Sequence, residues 1–301
     1  MQKRVVFTLL FAFLFAGPVC FAEPPLKVFV SILPQKYFVE KVGGDLVNVL
    51  VMVEPGANPA IYEPRPRQMV ALSKTKIYFA VGVPFEKAWL EKISATNSGM
   101  HIVHTEAGIE KRTMKSHYHY EKVAEQHPAE KGSEYRHHGI KDPHVWLSPS
   151  LVMIQARNIL QTLLAVDPLH RAAYIENYRK FILELVVLDA ELLRFFGEKK
   201  AGTEFIVFHP AWGYFAQTYG LEQVPIELEG KEPKPEELKR LIGYAQAEGI
   251  KVVFVQPQFS SQIAATIAKS IGGQIVFADP LALDWADNLR KVAANFRSAL
   301  Q

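Results

Sequence analysis

The feature that most constrains this chain is an alternation that occurs twice: short β-rich runs separated by longer stretches of helical periodicity. In the first half the runs are Lys27 to Leu33, Val47 to Val53 and Lys76 to Val81, and in the second Glu204 to Phe208, Lys251 to Val255 and Gln274 to Phe277. Strands spaced by helix-length segments are joined by crossovers, which is how parallel sheets are wired. The fold class that follows is α/β, with two lobes that each carry a parallel sheet.

Between the halves the punctuation is that of one long helix. Asp167 is a good N-cap, Pro168 suits the first helical position, and Gly197 stands where a helix ends. Tyr174, Tyr178, Phe181, Leu185, Leu188, Leu192 and Phe195 recur at steps of four and three and so share a face. Residues 167–197 are read as a linker helix of about 43 Å at ~1.5 Å per residue, running along both lobes. An ordinary core helix broken within that stretch has the same periodicity. A stiff connector limits hinge closure. The division that results is 1–22, 23–166 for the N-terminal α/β lobe, 167–197 for the helix and 198–301 for the C-terminal α/β lobe.

Residues 1–22 have the pattern of a secretory signal peptide: Lys3 and Arg4, an apolar stretch from Val5 to Ala16, and Cys20-Phe21-Ala22 as a cleavage site. The apolar run is shorter than the ~20 residues of a spanning helix, and Gly17-Pro18 interrupts it. Lipidation at Cys20 is disfavoured by Val19. Cleavage after Ala22 leaves no cysteine, since Cys20 is the only one in the chain. Disulfides and thiolate metal sites are then excluded, and any metal falls to His and carboxylates. Lys and Arg number 34 against 31 Asp and Glu, a balance that gives no sign of a nucleic-acid partner. No later segment is long and apolar enough to cross a membrane.

One stretch breaks the alternation. Lys111 to Lys141 is polar, nearly free of aliphatic residues, and carries His117, His119, His127, His137 and His138, half of the ten histidines in the chain. It lacks the apolar mass of a core element and is expected to be a mobile loop. Its imidazoles suit weak, adaptable metal capture, and a polar insertion with incidental histidines has the same composition.

Three residues outside that loop stand out by position. His209 follows one strand run and Asp279 follows another, so both fall at carboxyl ends of strands, where open α/β sheets place ligands. His144 sits in Asp142-Pro-His-Val-Trp146, ahead of a helix starting near Ser148-Pro149. Two imidazoles and a carboxylate suit zinc, and less specifically manganese or iron. Each residue alone also fits a hydrogen-bonded structural role, and Asp before Pro280 is a common turn or cap. Spacing along the chain does not say that the three converge.

Five segments together resemble the metal-binding receptors of zinc and manganese ABC importers, the ZnuA/TroA-like group: Glu54 to Pro64, Asp142 to Pro149, Phe208 to Phe215, Phe254 to Phe259 and Phe277 to Leu281. They follow the order of that group and span nearly all of the mature chain. The resemblance implies two lobes joined by a long helix, a metal in the cleft between them, and His144, His209 and Asp279 as its ligands. It also implies Zn(II) as transported ligand, because the manganese receptors usually carry Glu where His209 stands and the histidine-rich insertion is typical of the zinc receptors. An ABC transporter permease as partner follows from the same resemblance; the signal peptide and the poor lipidation signal at Cys20 favour a periplasm over a cell surface, and a monomer is expected. One position departs from the pattern: the first ligand of the group is a His, and here it is Ala60. Water, nearby Glu63 or one of the loop histidines are the candidate replacements.

An open three-ligand zinc site is also how hydrolytic enzymes look, so a metallohydrolase is the rival of a different class. The chain has neither His-Glu-x-x-His nor a Gly-x-Ser-x-Gly elbow, and an enzyme is not expected. A third reading is a receptor of the same shape for manganese, iron or a metal chelate. A chelate needs a wide cleft lined by aromatic or basic groups.

Overall fold

The computed structural model describes residues 24–114, 140–197, 200–227, 231–259 and 261–299. The signal-peptide segment with Cys20 lies outside the described residues, and so do His117, His119, His127, His137 and His138.

The first lobe runs β1 (Leu26–Val30), α1 (Leu33–Gly43), β2 (Val47–Val51), α2 (Pro66–Leu72), β3 (Ile77–Ala80), α3 (Pro84–Thr96) and β4 (His101–His104). After the insertion come α4 (Pro149–Val166) and α5 (Arg171–Phe196). The second lobe runs β5 (Thr203–Val207), α6 (Gly213–Thr218), β6 (Leu221–Pro225), α7 (Pro235–Ala247), β7 (Val252–Val255), α8 (Gln262–Ile271), β8 (Gln274–Phe277) and α9 (Trp285–Ala299). The sheets are ordered β2-β1-β3-β4 and β6-β5-β7-β8, and every pairing is parallel. The two lobes therefore repeat one topology, as the alternation implies. In each, the chain winds first to one side and then to the other, so the crevice for a ligand opens at the carboxyl ends of β1 and β3, and of β5 and β7.

Two strands go beyond the six read from sequence. β4 and β6 are both edges of their sheets. β4 has only Ile102 and Val103 between two histidines, and β6 ends in Pro225, which an edge strand tolerates because it needs no further partner.

Alternation along the central strands divides the interior. Phe205 and Val207 of β5 and Val252 and Phe254 of β7 face one core, while Ile206, Val253 and Val255 face a second, smaller one with α7 and α8. The larger core continues through both lobes. Its continuity comes from α5, whose Tyr174, Phe181, Leu185, Leu188, Leu192 and Phe196 are buried. Phe181 meets Phe38 of the first lobe at 6.1 Å between ring centroids, and Phe196 meets Phe296 of the second at 5.6 Å. Trp285, which opens α9, packs edge-on against Phe38 at 5.0 Å.

The helix departs from its expected form at both ends. Residues Pro168–His170 make a 3-10 turn, and the α-helix proper has 26 residues, about 39 Å at ~1.5 Å each. Asp167 makes no side-chain cap to the backbone; its carboxylate accepts from the Tyr174 hydroxyl at 2.6 Å and sits 2.7 Å from His170 Nδ1. At the far end Phe196 is the buried aromatic and Phe195 only half-buried, a one-residue drift of the face as 3.6 residues per turn accumulate. No helix among the described residues is long and apolar enough to cross a membrane.

Candidate metal centre

His144 and His209 come from opposite lobes and meet with ring centroids 5.2 Å apart. The two imidazoles are held in the same way. Asp142 Oδ1 lies 2.7 Å from His144 Nδ1 and accepts the His144 backbone N–H at 3.0 Å. Both carboxylate oxygens of Glu227 lie 3.2 Å from His209 Nδ1. A carboxylate at Nδ1 keeps the proton on that nitrogen, so Nε2 of each ring carries the lone pair that a metal takes.

The surroundings fix both rings. His209 lies two residues beyond β5, where its backbone N–H donates to Gln256 Oε1 at 2.9 Å and its carbonyl accepts from Gln256 Nε2 at 2.7 Å. Gln256 directly follows β7, so this reciprocal pair spans the crevice between the two central strands. Phe259 stacks on the His209 ring at 5.2 Å. His144 is buried, and burial pushes its imidazole below the ordinary histidine value; Asp142 opposes that shift and does not cancel it. The ring is therefore neutral at neutral pH, the form that ligates.

His144 is also where the lobes are stitched together. Trp146 Nε1 donates to the Pro280 carbonyl and Trp285 Nε1 to the Trp146 carbonyl, each at 2.7 Å. Tyr214 donates its hydroxyl proton to the Asp142 carbonyl at 3.0 Å, and Arg112 reaches the Gly213 carbonyl. Arg112 belongs to the base of the histidine-rich insertion. Residues 112–114 pair with 140–142 through an antiparallel bridge of Thr113 with Lys141 and hydrogen bonds from Met114 N–H to Ile140 and from Asp142 N–H to Arg112. The described ends of the expected loop are thus a short ladder.

Asp279 stands two residues beyond β8, as expected, and its surroundings differ. Its Oδ1 accepts from Gln258 Nε2 and from the Leu281 N–H, each at 2.9 Å. The imidazoles line one interlobe cavity of about 300 Å³, and Asp279 lines a neighbouring one of about 290 Å³. Gln258 and Leu281 border both. Among the described residues no three His, Cys, Asp or Glu side chains are grouped closely enough to hold one ion. The structure brings the two histidines together and leaves Asp279 one side chain away.

Ala60 lines the imidazole cavity, its N–H held by Asn58 Oδ1 at 2.8 Å. Glu63 is exposed and is not among the residues lining that cavity. Sequence reasoning missed Glu227 and Gln256, which are distant in the chain from the histidine they hold. Asp142 was within reach of it, because a carboxylate two residues before a histidine can fold back onto Nδ1.

Comparison with known proteins agrees with this architecture. The family model described as "ZnuA: Zinc-uptake complex component A periplasmic" matches residues 28–299. The high-affinity zinc uptake system protein ZnuA of Bacillus subtilis (strain 168) is 29% identical over 251 residues, 83% of this chain and 76% of that protein. The iron-binding protein YfeA of Yersinia pestis is 26% identical over 249 residues, 80% of this chain and 74% of its own length. A crystal structure of ZnuA superimposes with a TM-score of 0.81 at 40% identity, covering 92% of this chain and all of that one. The chain therefore belongs to the ZnuA family, the metal-binding periplasmic components of zinc uptake.

Proposed function

We propose that this protein is an exported receptor that binds Zn(II) in its interlobe cavity and delivers it to the permease of an ABC-type importer. The observation that carries the reading is the pair of carboxylate-anchored imidazoles, one from each lobe, with ring centroids 5.2 Å apart. Neutral nitrogen donors suit zinc better than the harder cations that prefer oxygen. The names of the zinc-uptake relatives support the same metal, and the iron-binding relative marks the alternative within the fold.

In this reading His144 and His209 supply two donors and Asp279 the third. Asp279 Oδ1 is engaged by Gln258 and Leu281, and its Oδ2 has no hydrogen-bond partner among the described residues. Metal bound between the lobes fixes their relative position, and that fixed form is what the permease recognises. The protein acts as a monomer and performs no catalytic step. Export rests on the signal-peptide pattern of residues 1–22, and the five loop histidines serve as accessory metal collectors.

Zinc titration of the metal-free mature protein and of its His209→Ala variant tests the proposal. One saturable site per chain is expected for the parent, and its tight binding disappears in the variant. A variant that keeps the parent affinity moves the metal elsewhere.

A further inference from the structure

The two interlobe cavities meet at Gln258, which borders the imidazoles on one side and Asp279 on the other. Its amide is oriented by Asp279. A carboxylate only accepts, so the nitrogen is the atom turned towards it, and Nε2 donates to Asp279 Oδ1 at 2.9 Å. The amide oxygen points elsewhere: Oε1 is buried and has no hydrogen-bond partner among the described residues. Gln256, two residues earlier, has both ends of its amide engaged by the His209 backbone. Of the buried side-chain atoms without a partner among the described residues, Gln258 Oε1 is the one whose residue lines the imidazole cavity.

Zinc takes about four donors. His144, His209 and Asp279 supply three in the reading above, and Ala60 has only a methyl group to offer. His104 also lines the cavity, with Nδ1 3.2 Å from Glu106 Oε1, but its side chain is 53% exposed. The same carboxylate oxygen is 3.5 Å from Lys111 Nζ, and an ammonium beside that ring opposes a cation on it. Gln258 is placed differently. An ion that bridges the imidazoles and Asp279 has to meet this side chain, which either withdraws and gives up its bond to Asp279 or stays and presents Oε1. Staying keeps the hydrogen bond and gives a buried acceptor a partner, where an unpaired one costs its full desolvation.

We propose that Gln258 Oε1 is the fourth metal donor, closing a site of two imidazole nitrogens and two oxygens with His144, His209 and Asp279. The inference rests on the zinc-receptor reading and deepens it by completing the ligand set. It also bears on selectivity. A neutral amide oxygen is a harder donor than an imidazole, so this site discriminates against manganese less sharply than one with a third histidine. The hydrogen bond from Nε2 to Asp279 remains in place and aims both oxygens at one ion.

Zinc competition titrations of the mature protein and of Gln258→Met, Gln258→Glu and His104→Ala test this. Methionine keeps the length of the side chain and removes both polar atoms; glutamate keeps an oxygen donor and removes the N–H that holds Asp279. Even the outer partner of a ligand is worth roughly 10–100-fold in affinity, so Gln258→Met should lose at least about tenfold. Gln258→Glu should bind at least as tightly as the parent, and His104→Ala should match it. The visible absorption of the cobalt(II)-loaded protein, which reports the number and kind of donors, should change in Gln258→Met and stay the same in His104→Ala. The proposal is overturned if Gln258→Met keeps the parent affinity, or if Gln258→Glu is as weak as Gln258→Met, which would reduce the residue to holding Asp279. Either result leaves the receptor reading standing, whereas a parent protein without saturable zinc binding would defeat both.

Discussion

His144 is governed by two opposed influences. Burial disfavours the imidazolium and the adjacent Asp142 favours it; burial is the larger, and the folded protein holds the ring below its ordinary value of 6.5. An unfolded chain takes up this proton before the folded chain does. The contribution to stability is thus complete above pH 6.5 and is lost as the pH falls through the lower folded value. The melting temperature of the metal-free protein should fall with pH in that window. Zinc affinity should fall in the same direction, because protons and metal compete for the same nitrogens. A melting series at constant ionic strength checks the first and zinc competition at stepped pH the second. Asp142 has a separate role in aiming the ring. Asp142→Asn keeps the size and removes the charge, and loss of such a partner costs roughly 10–100-fold in metal affinity. Circular dichroism of the variant, unchanged alongside that loss, distinguishes an effect on the ring from general unfolding.

At the level of elements, the first turn of α6 lies hard against the ladder at the base of the insertion. A Cβ added to Gly213 would come within 2.7 Å of Arg112 Nη1 and 2.9 Å of Asp142 Oδ2. Gly213→Ala should therefore displace the carboxylate that holds His144, lowering both the melting temperature and zinc affinity; retention of both would mean that the ladder yields freely. The helix α5 has a different role. Phe181→Ala removes a buried ring from the seam with Phe38, a change that typically costs ~3–5 kcal/mol, measurable by urea unfolding. These elements differ in how far the sequence announced them. The central strands were legible because apolar residues are continuous where both faces are covered, and α5 because its apolar face is regular. β4 and β6 were not, since β4 has only two apolar residues between His101 and His104 and β6 is broken up by Glu222, Gln223 and Pro225, whereas the other two edges, β2 and β8, keep enough of the apolar pattern to be read. Of the site, His209 was legible as a residue at the end of a strand. Its partners Glu227 and Gln256 were not, because only the parallel pairing of β5 with β6 and β7 brings them to it.

Across the whole molecule the larger core passes through both lobes without interruption, with α5 as its spine and Trp285 of α9 reaching the first lobe. Packed interiors yield little to compression or shear, so such a frame resists a wide hinge motion. The indole bonds from Trp146 to Pro280 and from Trp285 to Trp146 add polar ties close to the imidazoles. Two histidines from opposite lobes already in contact have little distance left to close. Zinc binding should accordingly alter the radius of gyration by less than ~1 Å, within the range of pre-organised binding sites. Small-angle scattering of the metal-free and zinc-loaded protein measures this directly. A contraction of several ångströms would show that the continuous core opens in the absence of metal, and that α5 bends where its unbroken helical hydrogen bonding should keep it straight. With Trp285→Ala the tie to the first lobe is removed together with a large buried ring. The difference between the two states should then grow, since the freed lobe samples wider openings before the ion draws it in.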